Sequence, residues 1–206
     1  FVRKLKNILG FVPGNVVLYK MAFRHRSVAK VLKNGSRSSN ERLEFLGDAM
    51  LGSVIAELLF KSYPYKEEGF LTEMRSKIVN RVNLNQLAKK MGFDQLISFD
   101  QKTVNVQTKH HSMLGDAFEA LVGAVYLDKG YDFTKSFLLK RIVKPYIDIH
   151  TLEMTETNFK SKLIEWCQRH GKDVSFDMVE NDEGESAKLF TVHAIIDGEN
   201  HGIGRD

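Results

Sequence analysis

The sequence predicts a mostly α-helical protein with a smaller α+β segment at its end. Three observations carry this. Two runs, 40–60 and 114–127, repeat apolar residues at the three- and four-residue spacing of a helix face. The first 150 residues contain almost no strand-period alternation. After residue 174 the pattern switches to Val174-x-Phe176-x-Met178, the alternation of a half-buried strand. A chain of 206 residues suits one domain of about 150 residues and a smaller second one. The expected division is 1–150, a linker over 151–157, and 158–206.

In order, residues 2–9 read as a short helix closed by Gly10, and Pro13-Gly14 as a turn. Asn15 can cap a second helix whose apolar positions are Val16, Val17, Met21 and Ala22. Residues 33–40, with Gly35 and three serines, form a loop that delivers the chain to the 40–60 helix. The stretch 62–69, with Pro64, is the next break. Thr72 is expected to cap a helix over 73–81 with Met74, Ile78 and Val82 on one stripe, and Asn83 or Asn85 to start another that ends at Gly92. Residues 98–108 are polar and lack a helical period. His110 and His111 fall just before the 114–127 helix; adjacent histidines point to different sides of a helix, so a cap or a loop contact suits them better than a shared metal. Residues 131–149 are a last helical stretch, interrupted at Pro145.

Residues 150–157 are polar and without period, as in a linker. Phe159, Leu163, Trp166 and Cys167 then form a helix stripe ended by Gly171. Strands are expected over 174–178, 189–196 and 201–205, with a turn-rich loop at 181–186 and a tight hairpin at Asp197-Gly198.

Composition excludes several classes. Hydrophobic residues make up 43% of the chain, enough for a proper core. The single cysteine, Cys167, allows no intramolecular disulfide, fits a reducing cytoplasm, and reads as a small core residue. No apolar run reaches the roughly 18–20 residues that span a membrane, and the longest, 50–60, is interrupted by Glu57. No signal peptide is visible, although the chain opens on Phe and further residues are expected at its ends. Net charge is +4 but unevenly spread: residues 1–40 hold nine Lys or Arg and no acid, and 151–206 hold six basic and 12 acidic residues. The basic set Arg3, Lys4, Lys6, Lys20, Arg24, Arg26, Lys30, Lys33 and Arg37 is what a phosphate-binding face would supply; a solvated helix surface would look the same.

The chemistry is concentrated in 40–60, NERLEFLGDAMLGSVIAELLF. Glu41, Glu44 and Asp48 fall on one helix face, and the same face continues through Leu51, Ile55 and Leu59. The acids thus sit at the open end of a stripe that goes on to be buried, where carboxylates repel and lose hydration unless a cation is present. Ser38-x-x-Glu41 as a capping box accounts for Glu41 and partly for Glu44, but not for Asp48, two turns in. Leu46-Gly47-Asp48-Ala49 recurs as Leu114-Gly115-Asp116-Ala117, and Asp116 and Glu119 again share a face, which continues through Ala120, Gly123 and Leu127. Gly47, Ala49, Gly115, Ala117, Ala120, Gly123 and Ala124 would let the two helices approach closely. Packed together, they would join Glu44, Asp48, Asp116 and Glu119 in an all-oxygen site suited to Mg²⁺ or Mn²⁺ rather than zinc.

NERLEFLGDA followed by GDAFEALVGAVYLD resembles the ribonuclease III family, whose signature the first motif is. Phe23-Arg24-His25-Arg26-Ser27 and Glu67-Glu68-Gly69-Phe70-Leu71 followed by Met74-Arg75 resemble two further family segments, and the chain after 155 resembles the start of a double-stranded-RNA-binding domain. The resemblance implies an all-helical nuclease domain and an incomplete α-β-β-β-α module whose last helix would lie past Asp206. It implies metal-assisted hydrolysis of duplex RNA to 5′-phosphate and 3′-hydroxyl ends with short 3′ overhangs, in RNA processing, with Mg²⁺ (Mn²⁺ possible) and no nucleotide cofactor. By resemblance Glu44, Asp48, Asp116 and Glu119 are metal ligands, Asp48 and Glu119 catalytic, and Glu41 and Glu68 hold the ligands or contact RNA. Phe45 matches the residue that plugs into the partner of a homodimer, against a reading as plain core packing. Glu165 and Gln168 match RNA-contacting positions, and His110 and His111 suit a loop contact to RNA. Such domains often carry His four residues before the second strand's Phe; counting back from Phe190 gives Ser186 instead. A di-iron bundle needs Glu-x-x-His, which no glutamate here supplies. A non-catalytic RNA-binding protein of the same fold would be expected to lose ligand acids, and all four are present.

Overall fold

The computed structural model describes residues 1–206 apart from 32–34, 36, 101–109, 156–158, 182–188 and 206. They divide into two compact units, Phe1–Thr155 and Glu156–Asp206. Lys33, Ser186 and most of the 98–108 and 181–186 segments anticipated above lie outside the described residues.

Two long helices organise the first unit, α3 over Glu41–Ser62 and α6 over His110–Lys129. They lie against each other over much of their length because each offers glycine where the other's main chain crosses. A Cβ built on Gly47 would stand 1.7 Å from the carbonyl oxygen of Glu119, and one on Gly123 would stand 2.3 Å from that of Leu43. α3 buries Leu43, Met50, Leu51, Val54, Ile55 and Leu59; α6 buries Leu114, Ala117, Phe118, Leu121, Val122 and Val125, nearly all round, as a central core helix does. Leu127, the outer end of the anticipated α6 stripe, is exposed.

The other helices wrap this pair. α1 (Val2–Leu9) buries Leu5 and Leu9 and stops at Gly10, whose φ of 75° is the left-handed conformation glycine adopts readily. α2 (Val16–Ala22) is capped by the Asn15 side chain, which accepts from the Val17 N–H. Asp128, near the end of α6, accepts from the N–H groups of Gly14 and Asn15 at 2.8 Å and from the Tyr19 hydroxyl at 2.9 Å. After a 3₁₀ turn at Arg26–Val28, β1 (Lys30–Val31) and β2 (Arg37–Ser38) form a two-residue antiparallel ladder, too short to leave a period in the sequence. α4 runs Glu68–Val79 and α5 Arg81–Lys90.

Several helix starts differ from expectation. α4 begins at Glu68, so Thr72 is one turn inside, its hydroxyl donating to Glu68 at 2.6 Å. α5 is capped by Asn80, whose Oδ1 accepts from the Asn83 N–H at 2.8 Å; Val82 therefore belongs to α5 and is exposed. α6 begins at His110, so the two histidines are its first residues rather than a preceding loop. Ser38 does not cap α3. It accepts from Arg24 at 2.7 Å, while Ser39 donates to Glu41 at 2.8 Å.

α7 (Tyr131–Phe137) continues through a π-helical turn, Leu138–Val143, into α8 (Lys144–Tyr146), so the irregularity falls before Pro145. The segment anticipated as a linker carries α9 (Ile149–Met154), capped by Asp148 and tied to the α3–α4 corner through Glu153, which accepts from the Tyr63 hydroxyl at 3.1 Å.

In the second unit α10 (Phe159–Arg169) accompanies an antiparallel sheet of order β3-β4-β5: Val174–Asn181, Leu189–Ile196 and Glu199–Arg205. Asp197 and Gly198 turn the hairpin with φ of 51° and 84°, the positive pair that a two-residue turn requires. Asp197 also accepts from Lys172 and from the Asp173 N–H, pinning the start of β3 to that turn. Of the α10 stripe, Cys167 is fully buried, whereas Phe159 and Trp166 are exposed and Trp166 stacks on His170 with ring centroids 4.5 Å apart.

Candidate metal centre

Where α3 crosses α6, Glu44 from the first turn of α3 meets Asp116 and Glu119 from α6. Each offers a carboxylate oxygen, and the three lie within 4.8 Å of one another, all half-buried. The crossing fixes this directly: the residue whose main chain faces Gly47 is Glu119 itself.

Electrostatics register the crowding. Burial, reinforced by the charges of Asp48, Glu44 and Asp116, pushes the Glu119 carboxyl up to about 7, against the pull of Arg81. Burial likewise raises Glu44, with Asp116, Glu41 and Asp48 adding to it. Burial raises Asp116, opposed by Arg81, His25 and Arg26. His25 is lowered, by burial and by neighbouring Arg26. Three carboxylates held partly out of water and short of counter-charge, all oxygen donors, fit a hard divalent cation.

The other anticipated residues are placed as follows. Asp48 is exposed, one turn along α3 from Glu44; it stands outside the close trio, yet its charge is the largest acting on Glu119. Glu41 is exposed at the start of α3, held by Ser39 and 3.9 Å from Arg26. Glu68 is in the first turn of α4 and accepts from Thr72. Phe45 is 81% exposed, which removes the core-packing reading of it. Glu165 and Gln168 are exposed on α10 in the second unit, with Glu165 3.5 Å from Arg169.

The turn at 24–27 is braced from two sides. The Asn40 N–H donates to the Arg24 carbonyl at 2.9 Å, and the Ser27 hydroxyl accepts from the Asp100 N–H at 2.9 Å and pairs with His25 Nδ1. This brings His25 and Arg26 close enough to act on Asp116.

Sequence reasoning missed α5 as a wall of the site. Arg81, its first residue, is the cation that opposes all three raised carboxyls. Asn85, one turn later and buried, accepts at 2.7 Å from the N–H of Gly115, the residue before Asp116. Arg81 and Asn85 are four apart and share a helix face; the signal was readable once Asn80 is taken as the cap.

A family model described as ribonuclease-III-like matches residues 15–146, and one for the double-stranded RNA binding motif matches 159–206. A ribonuclease 3 from Azobacteroides pseudotrichonymphae is 45% identical over 201 residues, 97% of this chain and 76% of that protein. One from Flavobacterium psychrophilum is 46% identical over 198 residues, covering 96% and 79%. Among solved structures, a nuclease domain of ribonuclease III from Campylobacter jejuni superposes with a TM-score of 0.62 at 33% identity, over 71% of this chain and 99% of that one.

Proposed function

The chain belongs to the ribonuclease III family of double-stranded-RNA endonucleases, and on that premise we propose that it cuts duplex RNA with Mg²⁺ (Mn²⁺ serving as substitute) held by Glu44, Asp48, Asp116 and Glu119. The observation that carries this reading is the meeting of Glu44, Asp116 and Glu119 at the α3–α6 crossing, with carboxyls raised by burial and mutual repulsion. A divalent cation held by these residues would supply Lewis-acid activation of water and charge compensation at the phosphodiester.

The rest falls to the chain's own residues. Asp48, at the exposed rim, completes the donor set from the solvent side, and with Glu119 bears most directly on the reacting phosphate. Glu119, raised by burial and by its neighbouring carboxylates, takes up a proton more readily than an ordinary carboxylate, and a bound cation would compete with that proton. Glu41 is oriented by Ser39 and Arg26 and supports the ligands or touches RNA, as does Glu68. Products carry 5′-phosphate and 3′-hydroxyl ends with short 3′ overhangs. Residues 1–150 act as the nuclease and 158–206 as the RNA-binding module, with Glu165 and Gln168 on its exposed helix face. Two copies pair through the exposed Phe45, one active site per strand; the Campylobacter jejuni nuclease domain has a structurally flexible region involved in dimer formation. No helix among the described residues is long and apolar enough to cross a membrane; with one buried cysteine, we place the work, RNA maturation, in the cytoplasm.

The test is incubation with a long RNA duplex with and without Mg²⁺, sizing the products and mapping their ends. Short fragments appearing only with the ion are expected; an intact duplex under both conditions overturns the reading.

A further inference from the structure

Asn85 makes an unusual contact. It lies in α5, is 8% exposed, and its side-chain oxygen accepts from the Gly115 N–H, six residues into α6, at 2.7 Å. Here the side-chain amide of a neighbouring helix accepts from a main-chain N–H of α6. The fit is tight in a second way. A Cβ on Gly115 would stand 2.8 Å from Asn85 Oδ1 and 3.6 Å from Leu84 Cβ, so glycine is what lets the amide reach the main chain. The held residue, Gly115, immediately precedes Asp116, whose carboxylate belongs to the trio.

We propose that Asn85 is a positioning residue for the carboxylate cluster: it fixes the turn of α6 that carries Asp116, and so sets the affinity of the site for divalent cations. α5 is thereby part of the site without supplying a ligand. Loss of this bond would leave the buried Gly115 N–H without its acceptor on α5 and free the Gly115–Asp116 turn to move relative to that helix. Groups that orient ligands from behind in this way typically change metal affinity by about 10–100-fold when removed.

The inference rests on the proposed metal site, and the experiment separates the two. Mn²⁺ binding to the full chain is measured without RNA, by the loss of the free-ion electron paramagnetic resonance signal, for the unaltered protein, Asn85→Ala, Asn85→Asp, Gly115→Ala and the Asn85→Ala/Gly115→Ala pair, with helix content and melting recorded for each. Asn85→Ala is expected to weaken binding about tenfold, and Asn85→Asp, which keeps an acceptor oxygen, to weaken it less than Asn85→Ala does. Gly115→Ala displaces the same amide and should weaken binding too, while the pair should lose no more than Asn85→Ala alone, because both changes act on one contact. Unaltered binding in Asn85→Ala overturns the inference, as do additive losses in the pair. Should Asn85→Ala fail to fold, Gly115→Ala binding Mn²⁺ as tightly as the unaltered chain overturns it equally. Absence of Mn²⁺ binding in the unaltered chain overturns the metal-site reading itself.

Discussion

Gly47→Ala is the sharpest perturbation of the crossing. The added methyl would meet the carbonyl oxygen of Glu119 at 1.7 Å, its carbonyl carbon at 2.6 Å and the nitrogen of Gly123 at 2.9 Å, all main-chain atoms that cannot rotate aside. Ordinary contact begins near 3.4 Å, so α3 and α6 must part by about 1.7 Å at this point. Overpacking that soft side chains can absorb costs about 1–3 kcal/mol; with two helix backbones to displace, at least the upper end is expected, about 3 kcal/mol. For a urea slope of about 2 kcal/mol/M that lowers the unfolding midpoint by about 1.5 M. The same separation draws Glu44 away from Glu119, so Mn²⁺ affinity should fall with it. Gly52→Ala is the matched control: it is in the same helix with nothing within 4 Å of the new methyl, and should gain up to about 1 kcal/mol from helix propensity. Urea titration of the two variants and the unaltered protein, followed by circular dichroism, reads the result. If Gly47→Ala unfolds at the same midpoint as the unaltered chain, the backbone-to-backbone crossing is not what holds the acids together.

Glu119→Gln should abolish cleavage in Mg²⁺ while duplex binding in a gel-shift assay survives; cutting at a near-normal rate ends the ligand assignment. Because the Glu119 carboxyl is raised to about 7 in the folded chain, folding takes up a proton between its ordinary range and 7, so metal-free stability rises as pH falls through that window. In EDTA, Glu119→Gln should therefore be the more stable protein at pH 8, with the advantage fading toward pH 5; a constant difference refutes it. Phe45→Ala should leave the packing of the single chain intact, since the ring is 81% exposed there, yet shift sedimentation from dimer toward monomer at micromolar concentration, with any fall in the unfolding midpoint depending on protein concentration. Asp128 is held below the usual carboxylate range: burial alone would raise it, but the bonds from Gly14, Tyr19 and Asn15 and the charge of Lys129 outweigh that. Its contribution is present at neutral pH and lost as pH falls through the folded value. Asp128→Asn should cost about 1.5–3 kcal/mol at pH 7, and a cost that persisted unchanged at pH 2–3 would contradict the charge-based account.

The paired helices were legible because both signals coincide on them. Acids fall on a face that then turns apolar, and small residues fall where a neighbour must approach. What spacing could not supply was depth along the axis. Glu44 and Asp48 share a face, but the crossing at Gly47 and Gly123 puts Glu44 in the trio and leaves Asp48 at its exposed rim. Caps are the least legible feature of the sequence. Asn80, Asn83 and Asn85 are alike in sequence, and only the tertiary neighbour of each decides which caps a helix and which reaches across to Gly115. α9 escaped notice because a six-residue helix stabilised by Asp148 and by Glu153 contacts leaves hardly any apolar period.

The Asp128 staple also bears on how the molecule opens. α1 and α2 have eight and seven residues, too few to persist as helices by themselves. They are fastened to the rest by Leu5, Leu9 and Tyr19 in the core, by Arg141 reaching the carbonyls of Asn7 and Ile8 at 3.4 and 3.3 Å, and by one carboxylate. The first 22 residues thus form a strap whose detachment need not await global unfolding. Amide hydrogen exchange over residues 2–22 should outpace that of α3 and α6, and its protection, taken relative to the intrinsic rate at each pH, should fall selectively on acidification as Asp128 takes up its proton. The segment released would carry four of the chain's positive charges and no acid.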